Sequence, residues 1–337
     1  MIAILGAGSG GLALASYLKD RKIDFTIWDR SIDKIKQLKK DNNILTINGP
    51  EIDSKKGLQL DCLTNDLKST IENNKYFFII TPGIAHEDIP EKIKNYISEK
   101  KVFILMPGRT YGGVAFKERL GDAKKFVDVY ETQTILHASR LKENILDIFG
   151  EKKDIYYSAF EGSNEEDKEF LKKIIPKMEY VDNYYTVTLN NVGAMLHPLP
   201  AVLNISRIEH KEPYFHYGKG ISPLISNFIE GMDQERKKIC EVLGAKFIST
   251  HYWLELEYGS KGRDLYESIQ NNNSYSKIKG PEDIKHRYIF DDLITGLVPL
   301  YKTAVKHHIC VKKIEAFLKF ASFLFNYDFI EEGRDCL

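Results

Sequence analysis

The hydrophobic pattern of the first half of the chain alternates short apolar runs with longer amphipathic stretches. Runs of four or five apolar residues are typical of buried parallel strands, and they occur at residues 2–5, 25–28, 76–80, 102–106 and 126–130. Further strands are predicted near 155–158 and 178–181, separated by an acidic and lysine-rich helix around 165–173. Alternating strands and helices predict a parallel, doubly wound α/β sheet.

The pattern changes after about residue 186. Long stretches with helical periodicity replace the strand-like runs, notably at 221–243, 291–306 and 311–327. A chain of 337 residues exceeds what one hydrophobic core usually serves. We therefore expect two domains, a doubly wound domain at 1–185 and a mostly α-helical domain at 186–337.

A glycine-rich turn follows the first predicted strand. Gly6 permits a tight turn, Gly8 lets backbone approach a pyrophosphate, and Gly11 lets the next helix pack against the strand. With Ser9 and Gly10 at the start of that helix, free N–H groups would face the phosphates. Strand, turn, helix and second strand occur in the order of a Rossmann dinucleotide site, although a flavin or a methyl donor could use a similar turn.

An acidic residue ends the second predicted strand at the spacing of a ribose-binding carboxylate. Asp29 should accept both ribose hydroxyls and favour NADH, whereas Arg30 and Lys34 could hold the additional phosphate of NADPH. Thr81 and Pro82 follow a later strand, at the sheet edge where such ligands bind. The predicted cofactor is NAD(P)H.

Composition narrows the classes of partner. The formal net charge is zero, so no global field would attract nucleic acid or an anionic membrane, and no segment is typical of a signal peptide or membrane span. Cys62, Cys240, Cys310 and Cys336 are scattered, which indicates a reduced cytoplasmic setting and no metal site. A homodimer is one assembly that the sequence leaves open.

Two segments of the helical half carry candidate chemistry. His197 lies in an apolar stretch, where Pro198 should favour an extended backbone, and Arg287 precedes the acids Asp291 and Asp292. A histidine can exchange protons near neutral pH, a carboxylate can orient it and raise its pKa, and an arginine can bind a substrate carboxylate. The alternatives are a core histidine and an ion pair at a helix start.

The whole chain resembles the opine dehydrogenase family, which includes octopine and nopaline dehydrogenases. The resemblance rests on motifs in order along the chain: the turn at 6–11, Thr81-Pro82 with His86, Pro107-Gly108-Arg109-Thr110 with Gly112-Gly113, Glu131-Thr132 with Thr134 and Arg140, Asn191 with His197-Pro198, Asp233 with Glu235-Arg236, Arg287-Tyr288 with Asp292, Gly296-Leu297-Val298-Pro299, and Gly333-Arg334. It implies reductive condensation of an amino acid with a 2-oxo acid such as pyruvate, to give an N-(1-carboxyalkyl) amino acid.

The resemblance also implies roles for individual residues. His197 and Asp292 match the family's catalytic dyad, and Arg287, five positions before the acid, matches the arginine that binds the oxo-acid carboxylate. Thr134 matches a position near the oxo acid. Arg109, expected among the substrate-binding residues, stands where octopine enzymes carry glutamine, which leaves the identity of the acid open.

Two other functions are weighed against this one. Glycerol-3-phosphate dehydrogenase and ketopantoate reductase share the architecture but use a lysine near the start of the helical domain. This chain has Asn191 in that neighbourhood, which we place among the substrate-binding residues, and His197 after it. A non-catalytic NAD(P)-binding sensor is the third interpretation, since fold does not dictate function.

Overall fold

The computed structural model of the chain describes residues 1–40, 42–49 and 52–335, so that Cys336 lies outside the described residues. The chain divides into two compact units, one comprising Met1–Gly108 and Gly112–Asp182 and the other Arg109–Tyr111 with the residues from Asn183 onward. No helix within the described ranges combines the length and apolarity needed to cross a membrane.

Two sheets form the framework of the first unit. Its strands in the described ranges are β1 (Ile2–Leu5), β2 (Phe25–Trp28), β3 (Ile44–Gly49), β4 (Ile52–Gln59), β5 (Leu63–Thr64), β6 (Tyr76–Ile79), β7 (Lys101–Leu105), β8 (Val127–Thr132), β9 (His137–Lys142), β10 (Ile145–Glu151), β11 (Ile155–Ser158) and β12 (Met178–Tyr180). The larger sheet has eight strands in the order β12-β11-β8-β7-β6-β1-β2-β5. The predicted doubly wound α/β fold is confirmed.

Strand β1 lies inside the larger sheet, between β2 and β6. Ile2 pairs with Phe25 on one side and with Tyr76 on the other, both in parallel register. The pairing of β11 with β8 is antiparallel, so the expectation of a wholly parallel sheet is wrong at this edge. Strand β8 extends beyond the predicted run at 126–130, because Glu131 and Thr132 are buried and continue it.

Both faces of this sheet are covered, as its uninterrupted apolar strands require. Alternate residues of β1 belong to different cores, Ile2 and Ile4 to one and Ala3 and Leu5 to the other. The helices of this unit are α1 (Ser9–Asp20), α2 (Ile32–Leu38), α3 (Leu67–Asn73), α4 (Ala85–Ile93), α5 (Gly112–Arg119) and α6 (Glu165–Ile174), with 3-10 turns at Lys94–Tyr96 and Gly121–Phe126.

A second sheet of four strands, in the order β4-β3-β10-β9, corrects the expectation of simple strand–helix alternation up to residue 150. Its strands bury one face only: Leu45 and Ile47 are buried, whereas Ile44 and Thr46 between them are exposed. The buried side chains join the core that also contains the inner face of α1. Such one-sided strands lack the continuous apolar run that marks the larger sheet.

The second unit is helical, as predicted. Its helices are α7 (Tyr184–Thr188), α8 (Val192–Leu196), α9 (Pro198–Leu203), α10 (Ile205–Glu209), α11 (Pro223–Val242), α12 (Thr250–Tyr258), α13 (Leu265–Gln270), α14 (Phe290–Asp292), α15 (Val298–Lys306), α16 (Lys312–Phe325) and α17 (Phe329–Glu332). A π-helical turn, Leu293–Leu297, joins α14 to α15. The single helix expected over 291–306 is therefore interrupted.

Candidate functional site

The glycine turn between β1 and α1 is packed so closely that side chains are excluded at two positions. Gly6 has a φ of +117°, and a Cβ there would lie 2.4 Å from the carbonyl oxygen of Ile80. A Cβ on Gly11 would lie 1.8 Å from the carbonyl oxygen of Gly6. Around Gly8, by contrast, a Cβ would meet no described atom within 4 Å, so space remains beside the turn.

The first turn of α1 is open to an anion. Gly8 is its N-cap and provides no side-chain cap, so the free N–H groups that follow, beginning with Ser9 and Gly10, suit a pyrophosphate. Beyond β6, the buried hydroxyl oxygen of Thr81 has no hydrogen-bond partner among the described residues, and Pro82 follows it. The unit therefore fits a dinucleotide.

Asp29, at the end of β2, is buried and already carries several hydrogen bonds. Its Oδ2 accepts from the backbone N–H of Ala7 and from Lys34 Nζ, each at 2.9 Å, and its Oδ1 accepts from the N–H of Ser31 at 3.0 Å. Burial raises the pKa of Asp29, but these hydrogen bonds outweigh it and hold the pKa below its ordinary value. Arg30 is exposed.

His197 and Asp292 meet in the second unit. The Nδ1 atom of His197 lies 2.8 Å from Oδ2 of Asp292, although 95 residues separate them in sequence. His197 links α8 to α9 with φ −96° and ψ −54°, so the extended backbone expected before Pro198 is wrong. The helical turn of α8 before it, with the bond from the His197 N–H to the carbonyl of Gly193, sets that conformation.

This contact assigns the proton on the histidine ring. A carboxylate can only accept, so Nδ1–H of His197 donates to Asp292 and the lone pair of a neutral ring lies on Nε2. The described residues offer Nε2 no hydrogen-bond partner, and the side chain is 13% exposed. His197 Nε2 is thus available for proton exchange with a bound molecule.

Burial and the neighbouring charges keep His197 as a neutral imidazole and Asp292 as a carboxylate. Burial lowers the pKa of His197; Asp292 raises it, while Arg287 and Arg109 lower it further. The net change is downward, which corrects the expectation that Asp292 would raise it overall. Burial raises the pKa of Asp292, but Arg109 and His197 outweigh it and hold that pKa well below its usual range.

Arg109 contacts both acids that follow Arg287 in the sequence. Its Nη1 lies 3.0 Å from Oδ1 of Asp292 and its Nη2 lies 3.4 Å from Oδ2 of Asp291. The segment Arg109–Tyr111 follows β7 in the chain but packs in the helical unit. Of the two candidate acids, Asp292 is the one bonded to His197.

Arg287 differs from Arg109 in having no hydrogen bond or ion pair to any described residue. Its guanidinium carbon lies 5.0 Å from the ring centroid of Tyr288, and the side chain is exposed. Arg287 is nevertheless close enough to affect the pKa of both His197 and Asp292. A free guanidinium beside a proton-exchanging ring suits a substrate carboxylate.

Two aromatic residues of this region escaped the sequence-based prediction of the site. The ring of Tyr288 stacks on His197 with centroids 4.1 Å apart and an interplanar angle of 9°. His216 is fully buried, donates from Nε2 to the carbonyl of Leu196 at 3.2 Å, and has a pKa lowered by burial to about 3. The position of Tyr288 next to Arg287 in the sequence was the one feature that could have indicated a place in the site.

The remaining predicted residues lie in different places. Asn191 is the buried N-cap residue of α8, and its Nδ2 lies 3.4 Å from Oγ1 of Thr110. Thr134 belongs to the first unit, where its carbonyl accepts from the Thr132 hydroxyl at 2.7 Å. Within the described ranges, no cluster of three or more His, Cys, Asp or Glu residues could hold a metal ion.

A dinucleotide turn in one unit and a buried histidine–carboxylate pair in the other are features of NAD(P)-dependent oxidoreductases. Residues 180–325 match the family described as NAD/NADP octopine/nopaline dehydrogenase, alpha-helical domain. Residues 1–112 match the NAD-dependent glycerol-3-phosphate dehydrogenase N-terminus. An opine dehydrogenase of Arthrobacter sp. (strain 1C) is 31% identical over 335 residues, covering 98% of this chain and 92% of that protein.

The chain therefore belongs to the opine dehydrogenase family and is an NAD(P)-dependent oxidoreductase acting on CH–NH bonds. Solved structures share its fold. An octopine dehydrogenase with NADH and L-arginine superimposes with a TM-score of 0.77 at 17% identity, covering 96% of this chain and 89% of that one. A yersinopine dehydrogenase with NADP⁺ gives 0.78 at 15% identity, covering 98% and 91%.

Proposed function

We propose that this protein joins an amino acid to a 2-oxo acid such as pyruvate and reduces the product to an N-(1-carboxyalkyl) amino acid. The observation that carries the proposal is the geometry of three residues in the helical unit. His197 donates to the buried Asp292 at 2.8 Å, and the guanidinium of Arg287, which has no ion pair among the described residues, is close enough to lower the pKa of His197. One group for proton transfer and one for a carboxylate are what this condensation requires.

His197 moves the proton. Because its pKa is lowered, the ring is neutral at pH 7, and Nε2 takes a proton from the ammonium group of the amino acid. The freed amine attacks the oxo carbon, and the imidazolium returns that proton to the carbinolamine hydroxyl, which leaves as water. The remaining iminium is reduced to the secondary amine, which takes up one proton from solvent.

Asp292 supports this cycle by holding the imidazole in the tautomer with Nδ1–H and by stabilising the imidazolium once it forms. Arg287 binds the carboxylate of the oxo acid and thereby orients the carbon that is attacked. Asn191 and Thr134 stay predictions as substrate contacts.

The glycine turn with Ser9, Asp29 and Thr81 would hold the cofactor. When bound, NAD(P)H supplies the hydride that reduces the iminium carbon. Lys34 partly neutralises Asp29 and Arg30 is exposed, so these two cations would offset the charge of a 2′-phosphate, while Asp29 would accept from a ribose hydroxyl. We infer that both cofactors are used, with NADH preferred. A cytoplasmic location and a homodimer complete the proposal.

The proposal is tested by assaying every combination of several 2-oxo acids, the common amino acids and the two cofactors. Turnover is followed as the loss of absorbance of the reduced nicotinamide. Oxidation should require both substrates together, and mass spectrometry should find the secondary amine. Oxidation by an oxo acid alone would instead favour a 2-hydroxy-acid dehydrogenase of the ketopantoate reductase type. Cofactor binding without turnover in any mixture would favour a sensor.

A replacement of His197 by Ala tests the proton-transfer role. Loss of a positioned acid or base should lower kcat by roughly a hundredfold or more. The matched control is His251→Gln, which changes a half-buried histidine of α12 and keeps a donor toward the carbonyl of Gly262. If His197→Ala stays within a few fold of the unchanged protein, the proposed dyad is wrong.

A further inference from the structure

Arg109 and His197 both bind the buried carboxylate of Asp292. Oδ1 of Asp292 accepts from Arg109 Nη1 at 3.0 Å, while Oδ2 of the same residue faces His197 Nδ1 at 2.8 Å. The Arg109 side chain is 9% exposed and that of Asp292 is fully buried. Each oxygen therefore has its own charged or polar partner, and the plane of the carboxylate is fixed from both sides.

The backbone around Arg109 is built to make this contact. Arg109 has φ +63° and Tyr111 has φ +57°, a left-handed conformation that side chains rarely adopt unless surrounding bonds hold it. Those bonds are present: the N–H of Thr110 donates to the carbonyl of Thr295 at 3.1 Å, and that of Tyr111 to Thr188 Oγ1 at 2.6 Å.

A glycine leaves room for both partners of Asp292. A Cβ on Gly193 would lie 3.2 Å from Arg109 Nη1 and 3.2 Å from Cε1 of His197. Both distances are tighter than most real Cβ contacts, so a side chain at this position would press on the guanidinium and the imidazole together. Arg109 and His197 can thus both reach Asp292 because Gly193, between them, has no side chain.

We propose that Arg109 is a positioning residue for the dyad, which occupies Oδ1 of Asp292 so that Oδ2 faces His197 Nδ1. The inference rests on the proposed function, because it concerns how the same proton-transfer pair is held. It assigns Arg109 no contact with substrate, in contrast to the role predicted from the sequence. Two carboxylates already meet this guanidinium, whereas Arg287 has no ion pair among the described residues.

The charges around His197 set the expected sign of a pH effect. Asp292 faces the ring from α14; Arg109 and Arg287 lie near it, and the rings of Tyr288 and His216 pack against it. Tyr217 also faces the His197 ring, His286 contacts Tyr288, and Asp291 is paired with the Arg109 guanidinium. Removing the cation of Arg109 removes one influence that lowers the pKa of His197, so the histidine should titrate at higher pH.

The test compares Arg109→Gln and Arg109→Lys with Arg207→Gln, a control that removes an arginine of α10 whose partner is Glu212. Arg109→Gln should lower kcat about tenfold or more, a part of the effect of losing the dyad, and leave the KM for the oxo acid within about twofold. Arg109→Lys keeps the charge but lacks the planar guanidinium that contacts two carboxylates, so its kcat should lie between those of Arg109→Gln and the unchanged protein. Arg207→Gln should leave both constants unchanged.

A second measurement does not depend on turnover. The imidazole of His197 is followed by NMR in protein carrying labelled histidine, with His197→Gln to assign the signal. Arg109→Gln should raise the titration midpoint of His197, and Arg109→Lys should restore most of it. An unchanged midpoint would overturn the inference, as would a large rise in oxo-acid KM at constant kcat. An enzyme inactive toward amines and oxo acids would refute the proposed function, while the NMR result would still decide the role of Arg109.

Discussion

Replacement of Asp292 by Asn separates the charge of this carboxylate from its shape. The amide fills the same buried space, but it no longer stabilises a positive charge on the His197 ring 2.8 Å away. At an effective dielectric constant of about 20, two charges about 4 Å apart interact by roughly 4 kcal/mol. That energy corresponds to about three pKa units, so the imidazolium becomes much harder to form.

The orientation of the ring is also affected. If the amide turns its NH₂ group toward Nδ1, the ring proton must move to Nε2, where it blocks proton uptake from the substrate. We therefore expect kcat to fall by roughly 10² to 10⁴, with the KM for the oxo acid little changed because Arg287 is untouched. The assay is steady-state oxidation of NAD(P)H with both substrates saturating, from pH 6 to pH 9.

Asp291→Asn provides the matched control. Asp291 is also buried and also faces Arg109, at 3.4 Å, so the same charge is removed from the same guanidinium without touching His197. Its loss of activity should be far smaller than that of Asp292→Asn. Thermal unfolding of both variants checks that each remains folded. Equal kcat losses in the two variants, or a kcat for Asp292→Asn within about threefold of the unchanged protein, would refute the assignment of the acid.

Three further outcomes follow from the contacts described. Arg287→Leu should raise the KM for the oxo acid by roughly tenfold or more and Arg287→Lys by less, measured with the amino acid saturating; an unchanged KM would remove its role as the carboxylate clamp. His216 stays neutral in the fold with a pKa of about 3 but titrates near 6.5 when unfolded, so its burial stabilises the protein fully only above pH 6.5. Lowering the pH from 7 to 5 should therefore cost about 2 kcal/mol of unfolding free energy through this residue, and urea denaturation of His216→Gln should lack that component. Lys34→Ala should raise the KM for NADPH roughly tenfold and that for NADH much less, since Asp29 would face a 2′-phosphate without its cation; equal changes would contradict this role of Lys34.

Much of the architecture could be predicted because the larger sheet is buried on both faces. Its strands at Ile2–Leu5, Phe25–Trp28 and Ile155–Ser158 read as short apolar runs and have the predicted bounds. The four-stranded sheet could not be found in the same way, since its residues alternate between core and solvent and resemble the polar stretches around them. Its pairing of β10 with β3 joins segments about a hundred residues apart, which local pattern does not encode.

The candidate site was likewise predicted in part. Residue types and the five-residue offset directed attention to His197, Arg287 and Asp292, but sequence spacing cannot show which acid meets the histidine. Arg109 was the hardest to interpret, because its position after β7 suggests a residue of the dinucleotide domain. Only the packing of Arg109–Tyr111 in the helical unit reveals its partners.

The π-helical turn Leu293–Leu297 determines the direction in which α14 presents Asp292 relative to α15. A π turn holds one more residue than an α turn, and each residue of an α-helix advances the chain by about 100° and 1.5 Å. Rewinding this segment as α-helix with all its residues kept would turn Asp292 by about a quarter of a circle relative to Val298–Lys306, whereas deleting one residue of the turn would largely restore the phase. The π turn thus sets the angular phase of α14 against α15, and a variant that becomes α-helical here at constant length loses the hydrogen bond to His197.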